Sequence, residues 1–116
     1  MDLRLELSER DGIPVLTVYG EVDVSTAPRL RQELIEVASS GSRRAVVDLE
    51  PVEFLDSTGL GVLVSGLKRF RTLEGDLLLV CTQRRVLKVF EITGLTAVFS
   101  MHATVDEAVA AARAAG

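Results

Sequence analysis

The most constraining stretch lies mid-chain, where Arg44-Ala45-Val46-Val47-Asp48-Leu49 runs through Pro51 into Phe54-Leu55-Asp56-Ser57-Thr58-Gly59-Leu60-Gly61. The first run is valine-rich, apolar and of strand length. After the second, Leu60, Leu63, Leu67 and Phe70 recur at spacings of three and four, the period of a helix with one buried face. A strand, a short bend at Pro51 and a helix over about residues 58–73 therefore meet at Asp-Ser-Thr-Gly. A strand that reads as continuous apolar sequence is buried on both faces, which places 44–49 in the centre of a sheet. Asp, Ser and Thr all suit the first position of a helix, where a side-chain oxygen accepts from an unpaired amide. Gly59 and Gly61 are expected to leave that first turn bare, so that another molecule can come close to the backbone.

The flanking sequence supplies the remaining elements. Leu3, Leu5 and Leu7 alternate with Arg4 and Glu6, as in a half-exposed strand, and Arg10-Asp11-Gly12 turns the chain into Val15-Leu16-Thr17-Val18-Tyr19. Two strands so closely joined form an antiparallel hairpin. Gly20 is expected to break the second strand, and Glu21-Val22-Asp23-Val24-Ser25-Thr26 to form a loop. Pro28 opens a helix that buries Leu30, Leu34, Val37 and Ala38, with Arg29 and Glu33 one turn apart on its wet side. The second helix exposes Lys68, Arg69 and Arg71, and Gly61 and Ser65 leave a shallow strip near its start. That strip suits either packing on the sheet or docking of a partner.

Glu74-Gly75-Asp76 then turns into a strand at 77–81. Thr82 is expected to cap a third helix whose Val86, Val89 and Phe90 share a face, and Gly94-Leu95 has the glycine-then-hydrophobe pattern of a helix end. A short strand is expected at 97–100. Thr104 with Glu107 three residues on is a capping box for a last, alanine-rich helix. Past the hairpin, strands and helices alternate, which implies parallel strands joined by crossovers. The fold class is α/β, with a mixed sheet and about four helices in one domain, 1–116.

Composition removes several classes of function. Apolar residues make up 47% of the 116, enough for an ordinary core, and the net charge of −4 gives no basic field to hold nucleic acid. The pairs Arg43-Arg44 and Arg84-Arg85 are too short to change that. Cys81, the one cysteine, sits in the run Leu77-Leu78-Leu79-Val80-Cys81, where it behaves as a small hydrophobe rather than a metal ligand. The start, Met1-Asp2-Leu3-Arg4, lacks the apolar core of a signal peptide, and no run is long enough to cross a bilayer. A cytoplasmic protein without metal or cofactor is the expectation.

The segment Asp56-Ser57-Thr58-Gly59-Leu60-Gly61 between strand and helix, with Gly20-Glu21-Val22-Asp23 before it and Thr93-Gly94-Leu95 after it, resembles the STAS domain of bacterial anti-sigma factor antagonists. The resemblance implies a protein ligand and kinase substrate with no catalysis of its own. Ser57 would be the phosphorylated residue, with Thr58 the second choice. Asp23, Asp56, Ser57, Thr58, Gly59, Leu60 and Gly61 would face the partner, with Glu21 as a further member. The implied partners are an anti-sigma factor acting as serine kinase and a serine phosphatase, with neither nucleic acid nor membrane bound directly. STAS domains also serve transporters, so an accessory subunit of another system is the alternative.

Other chemistries fit less well. A phosphoaspartate receiver would use Asp56, Thr82, Glu21 and Asp23, but it also needs a lysine after the last strand, and Ser100-Met101-His102-Ala103 has none. A serine hydrolase built on Ser57, Asp76 or Asp106, and His102 lacks the Gly-x-Ser-x-Gly elbow. A phosphate-binding loop is excluded because Gly59-x-Gly61 is not followed by the Gly-Lys-Ser/Thr that such loops require.

Overall fold

A computed structural model describes residues 2–115. The strands are β1 (Leu3–Arg10), β2 (Ile13–Val22), β3 (Arg44–Asp48), β4 (Val52–Leu55), β5 (Asp76–Val80) and β6 (Ser100–His102). The helices are α1 (Ala27–Ser39), α2 (Ser57–Thr72), α3 (Arg84–Ile92) and α4 (Val105–Ala114), with a 3-10 turn at Leu95–Ala97. The sheet order is β1-β2-β3-β5-β6, and β4 pairs with β2. Only β1 and β2 are antiparallel, as the short turn requires; the other pairs are parallel.

Alternation along the strands divides the interior in two. Leu16, Val18, Val47, Leu77 and Leu79 point to the face covered by α1, α2 and α3, while Val15, Val46, Leu78 and Val80 meet Ala108, Val109 and Ala112 of α4. The central strand β3 is thus buried on both faces, which is why it reads as uninterrupted valine and alanine.

β2 is longer than the sequence pattern indicates, and this extension builds the top of the molecule. Its lower half pairs with β3 (Val15 with Val46) and its upper half with β4 (Val22 with Leu55). Gly20 does not end the strand: it carries the chain through at φ 100, where a Cβ would stand 2.1 Å from the Asp2 carbonyl oxygen. Glu21 and Val22 therefore belong to the strand and not to a loop. Residues 52–55, which follow the bend at Pro51 and to which the sequence pattern assigns no element, form β4. Its far edge is covered by side chains rather than by another strand. Gln83 donates to the carbonyls of Glu50 and Val52, and Arg85 to that of Glu53 at 3.1 Å.

Three further expectations are corrected. Thr82 does not cap α3; Gln83 holds that position without a side-chain cap, its amide being drawn to β4. The last strand is 100–102, because Gly94 at φ 72 ends α3 and a 3-10 turn takes up the next three residues. Arg29 does not pair with Glu33: its guanidinium donates to the Leu3 carbonyl at 2.8 Å, pinning α1 over β1. The Thr104 cap is present, its hydroxyl accepting from the Glu107 amide at 3.1 Å. Cys81 is buried, and burial, then the charges of Glu50 and Asp48, raise its thiol to about 11, so it stays protonated at neutral pH.

Candidate functional site

The site forms where the upper ends of β2 and β4 meet the start of α2. The Asp56 amide donates to the Val22 carbonyl at 3.1 Å, so the chain leaving β2 toward α1 and the chain entering α2 are bonded at their point of divergence. Asp56 is the N-cap: its Oδ1 accepts from the Gly59 amide at 3.0 Å, and its carbonyl takes the Leu60 amide. The amides of Ser57 and Thr58 precede that first helical bond, so they carry the positive end of the helix outward. Both side chains are exposed, and among the described residues no hydrogen bond engages either hydroxyl.

The two glycines of the motif differ in use. Gly61 is exposed, and a Cβ there would meet nothing within 4 Å. Gly59 is buried: a Cβ would stand 2.6 Å from both Leu55 Cδ1 and Val22 Cγ1. Its bareness serves the close approach of α2 to the sheet, not the approach of a second molecule. Leu60 is likewise buried, at 5% exposure. Of the motif, Ser57, Thr58 and Gly61 remain at the surface, with Asp56 half-buried. The strip at Gly61 and Ser65 divides in the same way, for it is Gly66 rather than Gly61 that packs close to α1: a Cβ on Gly66 would stand 3.0 Å from Leu34 Cδ1.

On the β2 side of the site, residues 23–26 are fastened into one conformation. Asp23 Oδ1 accepts from the Ser25 hydroxyl (2.7 Å), the Ser25 amide (2.9 Å) and the Thr26 amide (3.1 Å). The buried Thr26 hydroxyl donates to the Glu21 carbonyl at 2.8 Å and accepts from the Asp23 amide at 2.9 Å. The Ser25 hydroxyl is the main cause holding the Asp23 carboxyl below 3.8; partial burial opposes it, and the Thr26 and Ser25 amides add to the lowering. A carboxyl depressed on folding stabilises the fold above its unfolded value and loses that contribution as pH falls through the folded one. A carbon-detected NMR titration should therefore give Asp23 a midpoint below 3.8, with the Ser25 and Thr26 amides shifting over the same range. A midpoint above 3.8 would mean the turn is not held this way.

Two features of the rim were missed in the sequence. Val24 is 73% exposed at the tip of the loop, and Phe54 is 45% exposed on β4, opposite Glu21. A bulge explains Phe54: Gly20 pairs with Val52 and Glu21 with Phe54, so Glu53 is an extra residue that breaks the inside-outside alternation. For Val24 the only available signal was an apolar residue set between Asp23 and Ser25; Phe54, next to Leu55, gave none. Among the described residues no three His, Cys, Asp or Glu side chains are arranged to hold a metal ion, and no helix is long and apolar enough to cross a membrane.

The exposed Ser57 hydroxyl thus stands at the mouth of α2 on a mixed sheet, with the Asp56 carboxylate capping the same turn. The STAS domain family model matches residues 4–108, and the chain belongs to that family. It is similar to the anti-sigma-B factor antagonist of Staphylococcus aureus, with 38% identity over 82% of this chain and 88% of the relative. The Listeria monocytogenes protein of the same name is 36% identical over 83% and 85%. Among solved structures, an anti-sigma factor antagonist from Mycobacterium paratuberculosis superposes with a TM-score of 0.89 and 31% identity, covering 97% of this chain and 95% of that one.

Proposed function

We propose that this chain is an anti-sigma factor antagonist: a protein ligand that binds an anti-sigma factor when Ser57 is unmodified and is released when Ser57 is phosphorylated. The reading is supported by relatives of that name and, above all, by one local fact, the free and exposed Ser57 hydroxyl on the first residue of α2. The anti-sigma factor would act as a serine kinase, passing the γ-phosphoryl of ATP to Ser57 Oγ and releasing ADP and the hydroxyl proton. A phosphatase would reverse the step. Binding the unmodified chain would take the anti-sigma factor away from its sigma factor. The chain would be a substrate and ligand throughout, not an enzyme.

The docking surface in this reading comprises Val24 and Phe54 as apolar contacts, Asp23, Asp56 and Glu21 as acids, and Ser57, Thr58 and Gly61 at the mouth. Phosphate brings about −1.5 to −2 charges and three acceptor oxygens. The free amides of α2 receive it without unfolding the helix. Its cost falls on the complex, where a docked partner would bury the added charge without a counter-charge.

The test is to incubate the chain with candidate anti-sigma kinases, magnesium and ATP, and to locate the label by mass spectrometry. Label on Ser57 that survives hydroxylamine and is lost in Ser57→Ala is expected. Full labelling of Ser57→Ala would move the acceptor to Thr58 or elsewhere, and hydroxylamine-labile label would indicate an acyl phosphate on a carboxylate.

A further inference from the structure

Among the described residues the outer edge of β1 pairs with no other strand, although Arg29 already reaches its Leu3 carbonyl. At the other end stands β6, three residues long, whereas β1 runs for eight residues with neither proline nor bulge among them. Such an edge is a template for another strand, and proteins that keep it free usually interrupt it. The pairing of β1 with β2 fixes which groups face outward. The Glu21 amide donates to the Asp2 carbonyl, so the even-numbered residues turn their backbone groups toward β2. Leu3, Leu5, Leu7 and Glu9 then present theirs to the open side. Consistent with this, the Leu3 carbonyl is reached from outside the hairpin by Arg29.

We propose that a second copy of this chain docks on this edge, the two β1 strands pairing antiparallel about a two-fold axis through Leu5. The sequence is self-complementary in that register. Leu5 faces Leu5, Leu3 faces Leu7, and Arg4 faces Glu6 twice. Because Leu3, Leu5 and Leu7 carry the outward backbone groups, they make the hydrogen-bonded pairs. Arg4 and Glu6 fall on the closer, non-bonded pairs, where opposite charges interact best. Within one copy Arg4 and Glu6 already pair with each other at the surface, so the two-fold produces an alternating four-charge cluster rather than an isolated pair.

Two independent observations favour the same register. Leu7 is 54% exposed beside a groove formed with Pro14 and Val37, and pairing would set Leu3 of the second copy next to it. On the same face of the sheet, α1 carries Arg29 at the level of Leu3, while Glu33 and Glu36 border the groove at Leu7. The two-fold brings Arg29 of one copy toward the two glutamates of the other. Shifting the axis to Leu7 would set Arg4 against Arg10 and Leu5 against Glu9, losing both matches.

The test uses sedimentation of the full chain and does not depend on whether Ser57 is phosphorylated. Wild type is expected to dimerise with a midpoint below about 1 mM. Arg4→Glu and Glu6→Arg should each raise the dissociation constant at least about tenfold, because each puts like charges face to face twice. Mixed in equal amounts, the two variants should recover the wild-type value as a heterodimer, since glutamates 4 and 6 of one chain then meet arginines 6 and 4 of the other. The recovery also shows that both variants are folded. A wild type that stays monomeric to about 1 mM, single variants that dimerise as wild type does, or a mixture without recovery would each overturn the proposal.

Discussion

Phosphorylation of Ser57 is expected to weaken binding of a cognate anti-sigma factor about a thousandfold, with the domain remaining folded. A change of that size requires ~4 kcal/mol at the interface. Burying a double charge without a partner costs as much or more. The free domain does not bear this cost, because Ser57 is exposed and the nearby helix amides favour an anion. Ser57→Asp carries one charge and fewer acceptor oxygens, so its expected loss is smaller, about ten- to a hundredfold by the same scale. Ser57→Ala should bind as the unmodified chain does and resist inactivation by the kinase. Titration calorimetry with each form, alongside thermal melts, separates the two effects. Equal affinity for phosphorylated and unmodified chain would remove Ser57 as the gate, whatever modification it carries.

The position of Ser57 was legible in the sequence because it depends on local rules: a strand, capping residues, then helical spacing. The cap at Thr104 and the helix end at Gly94 followed from the same short-range chemistry, whereas the choice of Asp56 over Ser57 and Thr58 as the cap of α2 did not. What the sequence hid was set at long range. β4 was missed because it has four residues and a bulge at Glu53, which leaves no clear alternation. Thr82 looked like a cap because nothing local shows that the Gln83 side chain spans to Glu50 and Val52. The placement of three helices on one face and α4 on the other depends on crossover geometry, to which hydrophobic spacing is silent. Val24 and Phe54 read as ordinary apolar residues, and only the fold shows that they lack a core to join.

The expected effects of alanine at Gly59 and at Gly61 are of opposite sign, although both glycines lie in the first turns of one helix. Helix propensity alone favours alanine at either site by about 1 kcal/mol. At Gly61 nothing opposes it: the position is exposed, with no atom within 4 Å of the added methyl, so Gly61→Ala should raise stability by up to about 1 kcal/mol. At Gly59 the methyl would enter space held by Val22 Cγ1 and Leu55 Cδ1, both at 2.6 Å, with Val22 Cβ at 3.1 Å. Leu55 can turn its flexible end aside. Val22 is fully buried and branched at Cβ, so it yields only if β2 or α2 moves. Overpacking of this kind costs about 1–3 kcal/mol and outweighs the propensity gain, leaving Gly59→Ala less stable in urea unfolding. The same displacement would strain the Asp56–Val22 bond that holds the two sides of the site together, so Gly59→Ala should also weaken partner binding while Gly61→Ala leaves the fold of the site intact. Stabilisation by both alanines would show that α2 does not press on the sheet at Gly59, and that the mouth of the helix is positioned by its cap alone.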